Sequence, residues 1–262
     1  MPASLTDTHA HLADPVLSPN VVDVVDRAAR SNVDHILAVG VDIQSSAESV
    51  ALSERFPTVW AAVGVHPHEV SSYNSGTLDE LRRLAEHPKV VAVGEIGLDY
   101  YRNVSPVDLQ QAVFTEQLAL AASLDLPVVV HNREASADVL RLIGSVRRDV
   151  DLNTRAGVLH CFTSDEAMAE HAISQGFFIS FAGNLTFRRA NSLRDIAAAL
   201  PGEWILAETD SPYLAPVPLR GQINQPLNVR LVVGQLAEVR GVSPDTAATL
   251  TSTNARRLFR WA

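Results

Sequence analysis

Eight short apolar runs, rich in β-branched residues and separated by stretches of helical periodicity, limit what this chain can fold into. They are Leu5 to His9, Ile36 to Val41, Val59 to His66, Val90 to Ile96, Leu126 to His131, Gly157 to Phe162, Phe177 to Ala182 and Trp204 to Thr209. Most are apolar on both faces, as strands are when helices cover them outside and other strands pack against them inside. Strands joined by right-handed helical crossovers form a parallel sheet, and eight such units favour closure over an open doubly wound sheet. The expected fold is α/β, a single (β/α)8 TIM barrel over residues 1–262, a length typical of that architecture.

The helical stretches have readable ends. Ser18-Pro19, Ser105-Pro106 and Ser243-Pro244 read as helix starts, because serine accepts a bond from a free helical N–H and proline has none to lose. Thr77 followed by Glu80 has capping-box spacing, and Gly176 and Gly241 sit where left-handed helix ends are expected. One helix is expected near Asn228 to Arg240, and a last one from Ser243-Pro244 toward Phe259. Ser211 to Pro226 holds four prolines and little apolar periodicity, so it reads as a long loop over the barrel mouth.

Polar residues fall at the C-terminal ends of these runs, where barrel strands converge on one face and active sites form. His9 and His11 end the first, His66 and His68 follow the third, and Glu95 and Asp99 close the fourth. His131 ends the fifth, His160 lies near the end of the sixth, and Asp210 follows the eighth. His9 and His11 are two apart, so in an extended strand both rings reach the same side. A lone strand histidine is usually a hydrogen-bonded core residue. Several imidazoles and carboxylates packed together without a cation, however, carry large desolvation and repulsion costs, which a shared metal removes.

Mixed imidazole and carboxylate donors suit Zn²⁺, Mn²⁺, Co²⁺ or Fe²⁺, with Mg²⁺ less favoured but compatible with the carboxylates. Five or six ligands exceed the three of a mononuclear catalytic zinc site, so two divalent metal ions are expected, with Glu95 placed to bridge them. The formal net charge of −9 argues against binding through a broad basic surface, so any nucleic-acid contact is expected to be local to a site. The lone Cys161 excludes an intrachain disulfide and a thiolate zinc cluster, and reads as a small buried hydrophobe turned toward the helices. No secretory signal opens the chain, and no run approaches the roughly 18 to 20 apolar residues of a membrane span. The expectation is a soluble cytoplasmic monomer with no obligate protein partner.

At these same residues the chain resembles the TatD family of metal-dependent deoxyribonucleases, within the amidohydrolase-like barrels. The resemblance is carried by Asp7-Thr-His-Ala-His-Leu12, Val63-Gly-Val-His-Pro-His-Glu69, Gly94-Glu-Ile-Gly-Leu-Asp-Tyr-Tyr101, Pro127-Val-Val-Val-His-Asn-Arg133, Gly157-Val-Leu-His-Cys-Phe162, Glu208-Thr-Asp-Ser-Pro-Tyr-Leu214 and Asn254-Ala-Arg-Arg-Leu-Phe259. It implies that His9, His11, Glu95 and Asp210 hold one ion while Glu95, His131 and His160 hold the other. It also implies hydrolysis of phosphodiesters in DNA, or in RNA, often from a strand end in the manner of a 3'-5' exonuclease, supported by Mg²⁺ or another divalent ion. Two departures stand out: the family's Asn-Glu-Pro reads Asn224-Gln225-Pro226, and the usual Ser-Gly-Ser after Phe162 reads Thr163-Ser164-Asp165.

In this reading Asp210 orients the attacking water and takes its proton, the alternative being a cap on the Pro-rich turn. His66 contacts substrate phosphate and His68 supports it from behind, unless both merely brace the turn at Pro67. Arg133 holds a phosphate or pairs with a barrel carboxylate, Tyr100 and Tyr101 stack on a base or cover a mouth loop, and Glu208 orients a ligand. Two rival readings keep the fold. One is a small-molecule amidohydrolase or phosphoesterase, although such barrels commonly carry a bridging lysine where this chain has Glu95. The other is a non-catalytic barrel acting as an assembly partner.

Overall fold

Alternation along the strands decides which residues fill the barrel and which meet its helices. The structure, a computed structural model, describes residues 3–102, 104–146 and 156–261. The strands β1 (Leu5–Ala10), β2 (Val33–Val39), β3 (Val59–Val63), β4 (Val90–Asp99), β5 (Val128–Arg133), β6 (Gly157–Leu159), β7 (Phe177–Phe181) and β8 (Ile205–Ala207) pair in parallel in chain order. Just beyond β8 the ring closes on β1: Asp210 N donates to the His9 carbonyl at 3.0 Å, and His11 N to the Ser211 carbonyl at 2.8 Å. The expected (β/α)8 barrel is the observed fold.

Leu37, Val39, Ala62, Val129, Val158, Phe178 and Leu206 fill the barrel, while their strand neighbours Ile36, Ala38, Val128, Val130, Phe177 and Ile179 join the core beneath the helices. Burying each large apolar side chain contributes about 1.5–3 kcal/mol relative to exposure. Because same-face residues recur every second position, His131 and His160 stand directly above Val129 and Val158 on the inner face. The opposite end is plugged by Ala255, Leu258 and Phe259 of the last helix and by Trp261, whose ring lies 6.1 Å from that of Trp60.

The helices are α1 (Val21–Arg30), α2 (Ile43–Arg55), α3 (Ser75–Ala85), α4 (Val107–Ser123), α5 (Ser136–Val146), α6 (Glu166–Ser174), α7 (Asn191–Ala199), α8 (Val229–Arg240) and α9 (Pro244–Phe259). α9 starts as expected, with Ser243 Oγ accepting from Thr246 N at 3.1 Å, and Gly241 ends α8 at φ 65°. Three starts differ. Ser18-Pro19 opens a single 3-10 turn rather than α1, and Pro106, without a side chain to cap, directly precedes α4. In α3 the capping residue is Asn74, and Thr77 returns the bond by accepting from Asn74 N at 3.1 Å.

β3 stops three residues short of His66 because its backbone leaves the ladder for helix side chains. Gly64 N donates to Ser46 Oγ at 3.1 Å, and Gln117 accepts from Val65 N at 2.7 Å while donating to its carbonyl at 3.0 Å. These bonds from α2 and α4 swing His66 and His68 across the mouth.

Candidate metal centre

Six histidines meet at the C-terminal ends of the strands, around one buried carboxylate. Glu95 of β4 is 3% exposed, and its two oxygens face different groups. Oε2 lies 3.3 Å from His9 Nε2 and 3.7 Å from His11 Nε2. Oε1 lies 2.8 Å from His160 Nε2, 3.0 Å from His131 Nδ1 and 3.4 Å from His66 Nε2. Asp210 joins the first group, with Oδ1 3.3 Å from His11 Nε2 and 3.8 Å from His9 Nε2. The rings pack closely, His9 stacking on His160 at 4.0 Å and His66 meeting His131 at 4.6 Å.

Each inner imidazole is held from behind. His160 Nδ1 sits 3.3 Å from Glu208 Oε1, and the same oxygen accepts from Cys161 N at 2.7 Å. His131 Nε2 and His68 Nε2 share Asp99 Oδ2, at 3.1 and 2.9 Å. Asp7 anchors the last loop to β1 by accepting from Thr209 N at 2.8 Å and from Thr209 Oγ1 at 2.6 Å, and burial pushes its carboxyl up to about 8.

Electrostatics tie the cluster to a cation. Burial opposes ionisation of Glu95, yet His160 and His131 hold its carboxyl well below the usual range. Burial likewise opposes charge on His160, but Glu95 and Glu208 together hold that imidazole well above its usual value. His66, in contrast, is pushed down by burial to about 4 and stays neutral. Without a cation, charge on Glu95 is offset only by charge on buried imidazoles, which burial opposes. Divalent cations take the place of the imidazole protons with less desolvation penalty, so this donor set fits them. Among the described residues, three groups of donor atoms are compact enough to hold an ion: His9, His11 and Glu95; His66, Glu95 and His131; and His9, His160 and Glu208.

The profile of the family described as TatD related DNase matches residues 6–260. The chain belongs to the TatD family of metal-dependent hydrolases. It is 36% identical over 256 residues to the uncharacterized metal-dependent hydrolase YabD of Bacillus subtilis, covering 98% of this chain and 99% of that one. It is 38% identical over 244 residues, 91% of each chain, to a Rahnella protein named 3'-5' ssDNA/RNA exonuclease TatD. Among solved structures it is similar to YJJV, a TatD homologue from Escherichia coli K12, with a TM-score of 0.93 and 31% identity over 100% of both chains.

Against this TatD-family frame, the sequence-predicted residues His9, His11, His66, His68, Glu95, His131, His160, Glu208 and Asp210 all come together. Arg133 stands at the rim of a cavity of about 1270 Å³, its guanidinium 4.4 Å from the Tyr101 ring, and has no carboxylate partner among the described residues. Tyr100 does not face the cavity. Its hydroxyl donates to Asp138 at 2.9 Å under α5, and Tyr101, one residue on, occupies the exposed rim. Cys161 also departs from expectation: β6 ends at Leu159 and Cys161 adopts φ 44°, which turns it toward the cavity instead of the helices. Glu208 and Asp210 do not share an extended strand. β8 ends at Ala207, Glu208 stays beneath His160, and Asp210 reaches the cup through a turn at φ 54°.

Both departures from the TatD-family pattern have local accounts. Asp165 caps α6 by accepting from Met168 N at 2.9 Å, and Ser164 accepts from Asn132 Nδ2 at 3.1 Å, so this loop is pinned without a glycine. Gln225 precedes a 3-10 turn and does not line the cavity. Asn224 beside it is fully buried and ties the long loop together, donating to the Thr209 and Tyr213 carbonyls at 2.9 and 2.7 Å. Asp7 and Asn224 carry no role in a reading based on strand ends, because they act through other residues, whereas Asp99, read there as closing the fourth strand, proves to hold His131 and His68.

Glu208→Gln is expected to keep the fold and lower divalent-ion affinity by about 10–100-fold, because it removes the carboxylate that orients His160. Titration of the metal-stripped variant with Mn²⁺ or Zn²⁺ measures this, and unchanged affinity would show that His160 needs no such support.

Proposed function

We propose that this chain hydrolyses phosphodiester bonds in nucleic acid, acting as a 3'-5' exonuclease on DNA or RNA with two divalent ions bound. The observation that carries this reading is Glu95, whose two oxygens each face a separate set of donors. His9, His11, Glu95 and Asp210 would hold one ion, and Glu95, His131 and His160 the other. The exonuclease name borne by a Rahnella relative of 38% identity supports the substrate class. Mg²⁺, Mn²⁺, Zn²⁺ and Co²⁺ all suit this mixed donor set.

Such ions, when bound, neutralise phosphoryl oxygens and bring the pKa of water toward neutrality. The side chains do the rest. Asp210, 13% exposed at the open side of its group, orients the attacking water and accepts its proton. Glu208 and Asp99 hold the His160 and His131 rings so that one nitrogen of each faces the cup. His66 is neutral and gives a hydrogen bond to a phosphate oxygen, while Arg133 meets the next phosphate at the rim.

Asp210→Asn is expected to leave a folded, ion-binding protein whose hydrolysis falls by about 10²–10⁴-fold. Retained turnover would remove Asp210 from this role. The broader test adds Mg²⁺, Mn²⁺, Co²⁺ or Zn²⁺ to metal-stripped protein with end-labelled single- and double-stranded DNA, RNA, simple phosphodiesters, amides and lactones. Stepwise shortening from the 3' end supports the proposal, and reaction of amides or lactones alone overturns it.

A further inference from the structure

Several arginines on the outer helices pair with acids, as Arg27 does with Asp23 at 3.0 Å, Arg141 with Asp138 at 2.7 Å and Arg256 with Asp34 at 3.1 Å. Arg188, Arg189 and Arg220, on the loops that follow β7 and β8, have no carboxylate within 4.0 Å among the described residues. These three exposed cations on adjoining loops concentrate positive charge at one side of the mouth in a chain of net charge −9.

These loops are built as one rigid ledge. Arg220 lies 3.8 Å over the Phe187 ring, and Val217 N donates to Thr186 Oγ1 at 2.8 Å. Arg194 of α7 donates to the Leu185 and Phe187 carbonyls at 3.0 and 2.9 Å, clamping the segment that bears Arg188 and Arg189. Gly183 lets the loops touch, since a Cβ there would sit 1.9 Å from the Leu214 carbonyl oxygen. Asn184 and Leu214, on the inner side of the same loops, line the cavity above Glu95. The wall following β1 to β3 is acidic instead, with Asp14, Glu48 and Glu69 on the cavity. A polyanion that enters this mouth is repelled from one side and met by free guanidinium groups on the other.

We propose that Phe187, Arg188, Arg189 and Arg220 form a ledge that carries the single-stranded nucleic acid still to be digested, outside the catalytic cup. This rests on the nuclease reading for the identity of the strand, but not for the existence of a phosphate-binding surface. The guanidinium groups take backbone phosphates, and the Arg220–Phe187 stack offers a flat face to a base. None of these residues touches the reacting phosphate, so the ledge raises affinity for long strands and leaves a short substrate unaffected.

The test compares the wild type with the Arg188→Ala/Arg189→Ala/Arg220→Ala variant, using fluorescence anisotropy of a labelled oligodeoxythymidylate of about 15 nucleotides in chelator. Binding is expected to weaken at least about tenfold, and the slope of log affinity against log salt to shrink by about two, at about 0.7 per lost contact on a single strand. The triple lysine variant should recover most of the slope. With divalent ion restored, kcat/KM should fall for the long strand and stay unchanged for a dinucleotide. Equal binding by wild type and alanine variant, or no binding by the wild type at low salt, overturns the ledge. Weakened binding in a protein that cleaves no nucleic acid keeps the ledge and removes the nuclease reading.

Discussion

Glu95→Gln is expected to empty both proposed ion sites together, lowering hydrolysis by about three orders of magnitude or more. The reason is geometric. One carboxylate faces His9 and His11 with Oε2, and His131, His160 and His66 with Oε1, so no other residue can stand in for either contact. Glutamine has nearly the same shape but offers one neutral oxygen and a donor that repels a cation. Metal analysis after dialysis against Zn²⁺ or Mn²⁺ checks the claim. Full occupancy of the variant with both ions would show that Glu95 bridges nothing, and loss of both distinguishes it from Asp210→Asn, which should lose turnover first.

The second large effect is on the fold. Gly97 of β4 sits at φ 144°, in register with His131, and an added Cβ would lie 2.0 Å from the His131 carbonyl oxygen. Backbone cannot yield there without separating β4 from β5, so Gly97→Ala is expected to destabilise by more than about 4 kcal/mol and to give little soluble protein. Gly234 is the control. It lies inside α8 with nothing within 4 Å of a built Cβ, so Gly234→Ala should raise stability by about 0.8–1.0 kcal/mol through helix propensity. Thermal unfolding of both variants decides the matter. A folded Gly97→Ala protein with wild-type melting would mean that the β4–β5 contact is looser than the geometry indicates.

The barrel and the cup were legible because both follow from alternation. Val129 and Val158 face inward, so His131 and His160 two residues later must as well, and the His-x-His of β1 obeys the same rule. What alternation could not supply is the path of the chain once it has left its strand. Cys161 and Asp210 both take positive φ, which alternation cannot foresee, and Cys161 consequently borders the cavity. Tyr100 and Tyr101 are adjacent aromatics with equal claim to the mouth, and only the bond from Tyr100 to Asp138 on α5 separates them. The arginine ledge joins residues 31 apart in sequence through a Thr186 hydroxyl, a contact no local pattern announces.

Ring closure has a consequence for the order in which the molecule becomes competent. The bonds from Asp210 to His9 and from His11 to Ser211 stitch the first strand to a segment some 200 positions later, and they also carry two of the donors into place. A growing polypeptide that has emerged from the ribosome with His9, Glu95, His131 and His160 already translated still has an open sheet and a missing acid. With Asp210 in its proposed role, hydrolytic power is therefore expected late in synthesis, in the same event that shuts the cylinder.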